Sequence, residues 1–134
     1  METICIAEDN EIDQRILKLT IAKYFRFRNV LFFNDGNALL SYLRSNKEDA
    51  LNLPDLILID LNMPGLNGWD FLAAFNGIKY SFPKCIQVYI VSVSINPLEI
   101  QQTREYDFVK DFISKPLSKE KLAAISGQEI MTTR

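Results

Sequence analysis

Five side chains fit for polar chemistry each stand at the end of a strand-like run. Glu8 and Asp9 follow Thr3–Ala7, Asp60 follows Leu56–Ile59, Ser92 follows Gln87–Val91, and Lys115 follows Asp111–Ser114. Three carboxylates brought within a few ångströms repel one another and raise one another's pKa. A hard divalent cation relieves that repulsion. Mg²⁺ takes octahedral oxygen ligands and keeps several waters, so one or two carboxylates and a carbonyl suffice to hold it. A lysine beside such a cluster supplies a fixed point charge for an anion, and a serine hydroxyl can donate to the same anion. A carboxylate nucleophile, a cation, an ammonium and a hydroxyl together make a phosphoryl-acceptor site. Singly, Glu8-Asp9 reads as a helix-capping pair, Ser92 as a strand-end serine and Lys115 as a surface lysine. Their joint placement on successive strand ends carries the chemical reading.

The elements that must position them follow from periodicity and punctuation. Leu56-Ile57-Leu58-Ile59 is an apolar run bounded by Pro54-Asp55 and Pro64-Gly65, the pattern of a strand buried on both faces. Thr3–Ala7 is a first strand. Ile12, Ile16 and Leu19 recur at helical spacing from Glu11 to about Tyr24, with Asn10 or Asp9 as the cap. Val30–Phe33 is a second strand, Asn34-Asp35-Gly36 a turn, and Ala38–Asn46 a helix with Leu39, Leu40 and Leu43 inward. After the third strand, Gly68 opens a helix with Leu72, Phe75 and Ile78 on one face. Gln87–Val91 is a fourth strand, and Asn96-Pro97 starts a helix extending to Asp107. Asp111–Ser114 is a fifth strand. Ser118 caps a last helix that Gly127 ends. Strands alternating with helices imply an α/β fold: a doubly wound, flavodoxin-like (βα)5 parallel sheet, strand order 2-1-3-4-5. That order puts the switch point between the first and third strands, with Asp9 and Asp60 side by side at the carboxyl edge.

The 134 residues suit one domain, taken as residues 1–134. A net charge of −2 gives no footprint for nucleic acid. No run is long enough to span a membrane. Two cysteines, Cys5 and Cys85, form no disulfide framework and no metal spacing, which suggests a reducing, cytoplasmic setting. The absence of histidine excludes a His triad or a His metal site.

In these motifs the chain resembles the receiver domains of two-component response regulators. The matching segments are Glu8-Asp9, Asp60-Leu61-Asn62-Met63-Pro64-Gly65 with Gly68, Ser92, and Lys115-Pro116, in family order and at family spacing. The resemblance implies that Asp60 accepts a phosphoryl group. It implies that Asp9 binds Mg²⁺ directly, Glu8 through water, and Asn62 through its backbone carbonyl. Ser92 and Lys115 then bind phosphoryl oxygens, Phe112 is the switch aromatic, and the Lys115-Pro116 peptide is cis. Three departures stand out: Glu8 where Asp is commoner, Val93 where a small residue is usual and could narrow access to Asp60, and Phe108 near another small-residue position.

The reading is a stand-alone receiver that catalyses only its own phosphorylation and dephosphorylation. Its donor would be a sensor histidine kinase or a histidine phosphotransfer protein. Output would pass to a downstream protein partner not named by the sequence. The protein would be a monomer or a weak homodimer through the face built by the Pro97 helix, the Asp111 strand and the Ser118 helix. Three alternatives fare worse. An aspartyl-phosphate hydrolase needs a second acid where Asn62 stands. A phosphorylation-independent binding module on the same fold would not need the intact acidic set and lysine. A flavin carrier needs a phosphate-cradling first loop, which Glu8-Asp9 would repel.

Overall fold

Each strand of this chain alternates its side chains between two faces, and each face has its own helices to cover it. The computed structural model describes residues 2–63, 65–93 and 96–131; Pro64 of the turn after Asp60 lies outside them. The elements are β1 (Thr3–Ala7), α1 (Glu11–Tyr24), β2 (Asn29–Phe33), α2 (Gly36–Ser45), β3 (Leu56–Asp60), α3 (Gly68–Ile78), β4 (Gln87–Ser92), α4 (Pro97–Thr103), β5 (Val109–Ser114) and α5 (Lys119–Ser126). A single 3₁₀ turn, Lys79–Ser81, follows α3. The sheet is parallel throughout, in the order β2-β1-β3-β4-β5. This is the flavodoxin-like arrangement that the sequence implied.

In β1, Ile4 and Ile6 face the same side as Leu56 and Leu58 of β3. There they meet Leu17 and Ile21 of α1 and Leu122 of α5. Cys5, Ala7, Ile57 and Ile59 face the other side and meet Leu39 and Leu43 of α2 and Phe71, Leu72 and Phe75 of α3. Period-2 alternation thus splits one apolar strand run between two cores. Cys5 is fully buried, and burial pushes its thiol up to about 12, whereas Cys85 is exposed.

Four local expectations shift. The apolar repeat on α1 faces outward: Ile12, Ile16 and Leu19 are 70%, 56% and 66% exposed, while Leu17 and Ile21 pack inward. This helix is apolar on two sides, so spacing alone does not choose its buried face. Helix α2 begins at Gly36 because the Asp35 side chain accepts from the Ala38 N–H. Helix α4 stops at Thr103, four residues early. There the Thr103 hydroxyl donates to Ile100 O, and Tyr106 N–H turns back to Thr103 O. That turn swings Phe108 into the core, with its ring 4.8 Å from that of Phe75. Strand β5 starts two residues early, at Val109, and an irregularity at Val88/Tyr89 leaves both Lys110 and Asp111 exposed.

Two close approaches fix the loop after β3. The Gly68 N–H donates to Leu61 O, and a Cβ at Gly68 would lie 2.6 Å from Leu61 Cα and 2.7 Å from Asp60 O. A Cβ at Gly36 would lie 2.8 Å from Leu66 O. The residue type at each is set by backbone proximity.

Candidate functional site: an acidic edge closed by one lysine

The carboxyl ends of β1 and β3 are adjacent, so Glu8, Asp9 and Asp60 share one edge. One carboxylate oxygen from each lies within 4.8 Å of the others. Glu8 and Asp60 are buried, at 5% and 7% exposure, whereas Asp9 is open to solvent. Asp60 Oδ1 accepts the Asn62 N–H at 3.0 Å, which turns the chain sharply after β3.

Lys115 reaches this edge from the end of β5. Its backbone N–H donates to Ser92 O at 2.7 Å, tying the β4 and β5 ends together. The Lys115-Pro116 peptide is cis. Lys121 of α5 donates through Nζ to the carbonyls of Ser114 and Pro116 and so braces the turn from both sides. The Lys115 ammonium then donates to Asp60 Oδ2 at 2.8 Å, Glu8 Oε1 at 2.5 Å and Asp13 Oδ2 at 3.1 Å. Beneath it lies a cavity of about 80 Å³ with an apolar floor that includes Ile6, Leu17, Leu58 and Val91. Ion pairs set over such a floor are stronger than the same pairs in water.

Burial alone would lower the Lys115 pKa, but its hydrogen bonds to Asp60, Glu8 and Asp13 outweigh burial and hold it above the ordinary lysine value. Its contribution to stability is therefore complete below the ordinary lysine pKa and is lost only as pH rises through the elevated one. Burial raises the Glu8 pKa, with the Lys115 and Asn10 hydrogen bonds working against it. Three carboxylates thus share a single ammonium, and Asp9 adds a fourth negative charge beside Glu8 and Asp60. This hard-oxygen donor set, crowded and only partly neutralised, fits a cation such as Mg²⁺.

The structure brings together Glu8, Asp9, Asp60 and Lys115 as the sequence suggested. Ser92 is at the end of β4 and buried, at 1% exposure, but among the described residues its hydroxyl makes no hydrogen bond to Asp60 or Lys115. Phe112 is half-buried beside Ile90 in the sheet register, its ring against the α2–α3 core. Val93 is 74% exposed. Sequence reasoning missed two residues, Asp13 and Lys121. Asp13 carried no local signal, because Asn10 caps α1, Asp9 lies outside the helix, and the partner of Asp13, Lys115, is 102 residues away.

The sequence model of the response regulator receiver domain matches residues 4–126. The chain belongs to that family. Receiver domains are modules of two-component signalling rather than classical enzymes. A two-component response regulator from Cytophaga hutchinsonii superposes with a TM-score of 0.83 at 26% identity, covering 93% of each chain. The phosphorylated cyanobacterial phytochrome response regulator RcpA superposes with a TM-score of 0.73 at 28% identity, covering 98% of this chain and 99% of that one. In sequence, this receiver is 24% identical over 119 residues to the probable methanogenesis regulatory protein FilR2 of Methanothrix harundinacea, covering 89% of this chain and 75% of that protein. It is 25% identical over 129 residues to hybrid signal transduction histidine kinase I of Dictyostelium discoideum, covering 96% of this chain but only 7% of the kinase. No described helix of the receiver is long and apolar enough to cross a membrane.

Proposed function

We propose that this receiver domain accepts a phosphoryl group from a phosphohistidine donor onto Asp60. The observation that carries this is the Lys115 ammonium 2.8 Å from Asp60 Oδ2, at an edge where Glu8, Asp9 and Asp60 oxygens lie within 4.8 Å of one another. In the transfer, an Asp60 carboxylate oxygen forms a bond to phosphorus as the phosphorus–nitrogen bond to the donor imidazole breaks; the departing nitrogen keeps the bonding pair, and a proton on the ring's other nitrogen leaves the donor histidine neutral. Asp9, Asp60 and the Asn62 carbonyl would hold Mg²⁺ directly and Glu8 would hold it through water. The bound cation would supply charge neutralisation at the phosphoryl oxygens. Lys115 and the Ser92 hydroxyl bind the remaining oxygens. The test is intact-mass measurement after incubation with a small phosphodonor. One base-labile phosphoryl adduct is expected with Mg²⁺ and none without it; no adduct under either condition would refute the reading.

The donor would be a sensor histidine kinase or a histidine phosphotransfer protein. In support, α1 starts directly after Glu8-Asp9 and presents Ile12, Ile16 and Leu19 to solvent, an apolar stripe beside the acceptor where a donor must dock. A cytoplasmic setting without nucleic-acid contacts goes with this reading, and the net charge of −2 supports the latter.

The metal assignment makes a distinction between the two first-strand acids. Glu8 already bonds Lys115 and the Asn10 N–H, whereas Asp9 is exposed. Asp9→Asn is expected to weaken Mg²⁺ binding on the order of tenfold, since ligand charge count tunes hard-cation affinity by decades. Glu8→Gln is expected to weaken it less. Trp69, half-buried one residue into α3, reports the titration by its fluorescence. Equal affinities for wild type and Asp9→Asn would refute the direct-ligand role.

Output passes through the face made by α4, β5 and α5. Ser92 moves toward the phosphoryl oxygens, and Phe112 turns further inward to fill the space released beneath α4. Leu98, 69% exposed on α4, and exposed Lys110 and Asp111 on β5 offer the surface for a downstream protein or a second copy. Beryllofluoride is expected to shift backbone NMR resonances across this face; changes confined to the Asp60 loop would rule the switch out.

A further inference from the structure

The Lys115 ammonium has three N–H donors, and all three are engaged: by Asp60, by Glu8 and by Asp13. The third partner differs in kind from the other two. Asp13 belongs to the first turn of α1 rather than to a strand end. Its side chain is 42% exposed, against 7% for Glu8 and 8% for Asp60. Its backbone is anchored, because the Asp13 N–H donates to Asn10 Oδ1 at the helix cap. A half-exposed carboxylate on a capped helix turn thus holds the third N–H of Lys115.

We propose that Asp13 is a positioning residue for Lys115, competing with the phosphoryl group for its ammonium and so setting how firmly that group is held on Asp60. The proposal rests on the acceptor reading above and deepens it. A phosphoryl group on Asp60 needs at least one N–H of Lys115, and no N–H is free in the resting site. When Glu8 turns toward a cation it gives up its own bond to Lys115. Asp13 then becomes the principal remaining competitor, and its negative charge also opposes the incoming anion. The same charge has the reverse effect on a cation: it attracts the metal directly, and it draws Lys115 away from the metal-binding acids. Removing the charge is therefore expected to act with opposite signs on anion and cation. A structural defect at the edge would weaken both.

The experiment uses the wild-type protein, Asp13→Asn and Asp13→Glu. Asn retains the size and the capping backbone, and Glu retains the charge with enough reach to meet Lys115. Beryllofluoride affinity is measured at saturating Mg²⁺, and Mg²⁺ affinity is measured alone by Trp69 fluorescence. The expected result for Asp13→Asn is beryllofluoride binding roughly threefold tighter, the scale of a half-exposed ion pair. Slower loss of the phosphoryl group and Mg²⁺ binding weakened by a similar factor are expected with it. Asp13→Glu is expected to behave as wild type. Unchanged affinities in Asp13→Asn, or both affinities weakened together, would overturn the role of Asp13. Wild-type protein that binds Mg²⁺ but neither beryllofluoride nor a phosphoryl group would instead overturn the acceptor reading itself.

Discussion

Asp60→Asn is expected to take up no phosphoryl group under conditions where the wild type is labelled to completion. An amide oxygen is a poor nucleophile, and no proton shift within the edge can restore the lost carboxylate. The neighbouring acids do not substitute. Glu8 is buried and holds Lys115 with one oxygen and the Asn10 N–H with the other. Asp13 stands in the first turn of α1, where its carboxylate is held by the Lys115 ammonium. The fold should survive the change, because the Asn side-chain oxygen can still accept from Lys115, which also keeps Glu8 and Asp13. Intact mass after treatment with a phosphodonor and Mg²⁺ reads the outcome, and far-ultraviolet circular dichroism verifies folding. Full labelling of the folded variant, mapped to another residue, would remove Asp60 from its assigned role.

Gly68→Ala is expected to destabilise the protein by about 2–3 kcal/mol, the usual upper range for an added methyl with no room. The new Cβ would meet Leu61 Cα at 2.6 Å and Asp60 O at 2.7 Å. Both are backbone atoms, so no rotamer change can relieve the clash. Either α3 moves outward, costing the packing of Phe71 and Leu72, or the end of β3 moves, shifting Asp60. The matched control is Gly77→Ala, near the other end of the same helix and with nothing within 4 Å of the new atom. That change should be stabilising by about 0.5–1 kcal/mol, because Ala loses less backbone entropy in a helix than Gly. Urea unfolding of the two variants beside the wild type measures both. A Gly68→Ala protein as stable as the wild type would show that the contact yields easily.

The strands were legible because β1 and β3 are buried on both faces, so each reads as an unbroken apolar run. The caps at Asn10, Asn96 and Ser118 were legible because each side chain bonds a nearby backbone N–H, a purely local event. The alignment of Glu8, Asp9, Asp60 and Lys115 followed from the strand order. What sequence could not supply was the choice between two apolar sides of α1, which packing against Ile4 and Leu58 decides. Nor could it locate the start of β5, where the register irregularity puts adjacent Lys110 and Asp111 outward and breaks the alternation that marks a strand. Asp13 was hidden for a third reason. Its partner lies 102 residues away, and only the reach of the Lys115 side chain brings the two together.

The two thiols differ in a way that is useful at the bench. Cys5 is sealed within β1 and its pKa is pushed up to about 12, so as a thiol it is inert in the folded protein. Cys85 is exposed two residues before β4 begins, and Ser92 ends that strand at the same edge of the sheet as Asp60. At strand rise per residue, Cys85 stands roughly 20 Å from the acidic edge. The native chain therefore already carries one addressable attachment point at the end of the sheet remote from its chemistry. A dye coupled there can follow the approach and departure of a partner protein or a second copy by energy transfer, one molecule at a time, while Asp60 and Lys115 remain unmodified.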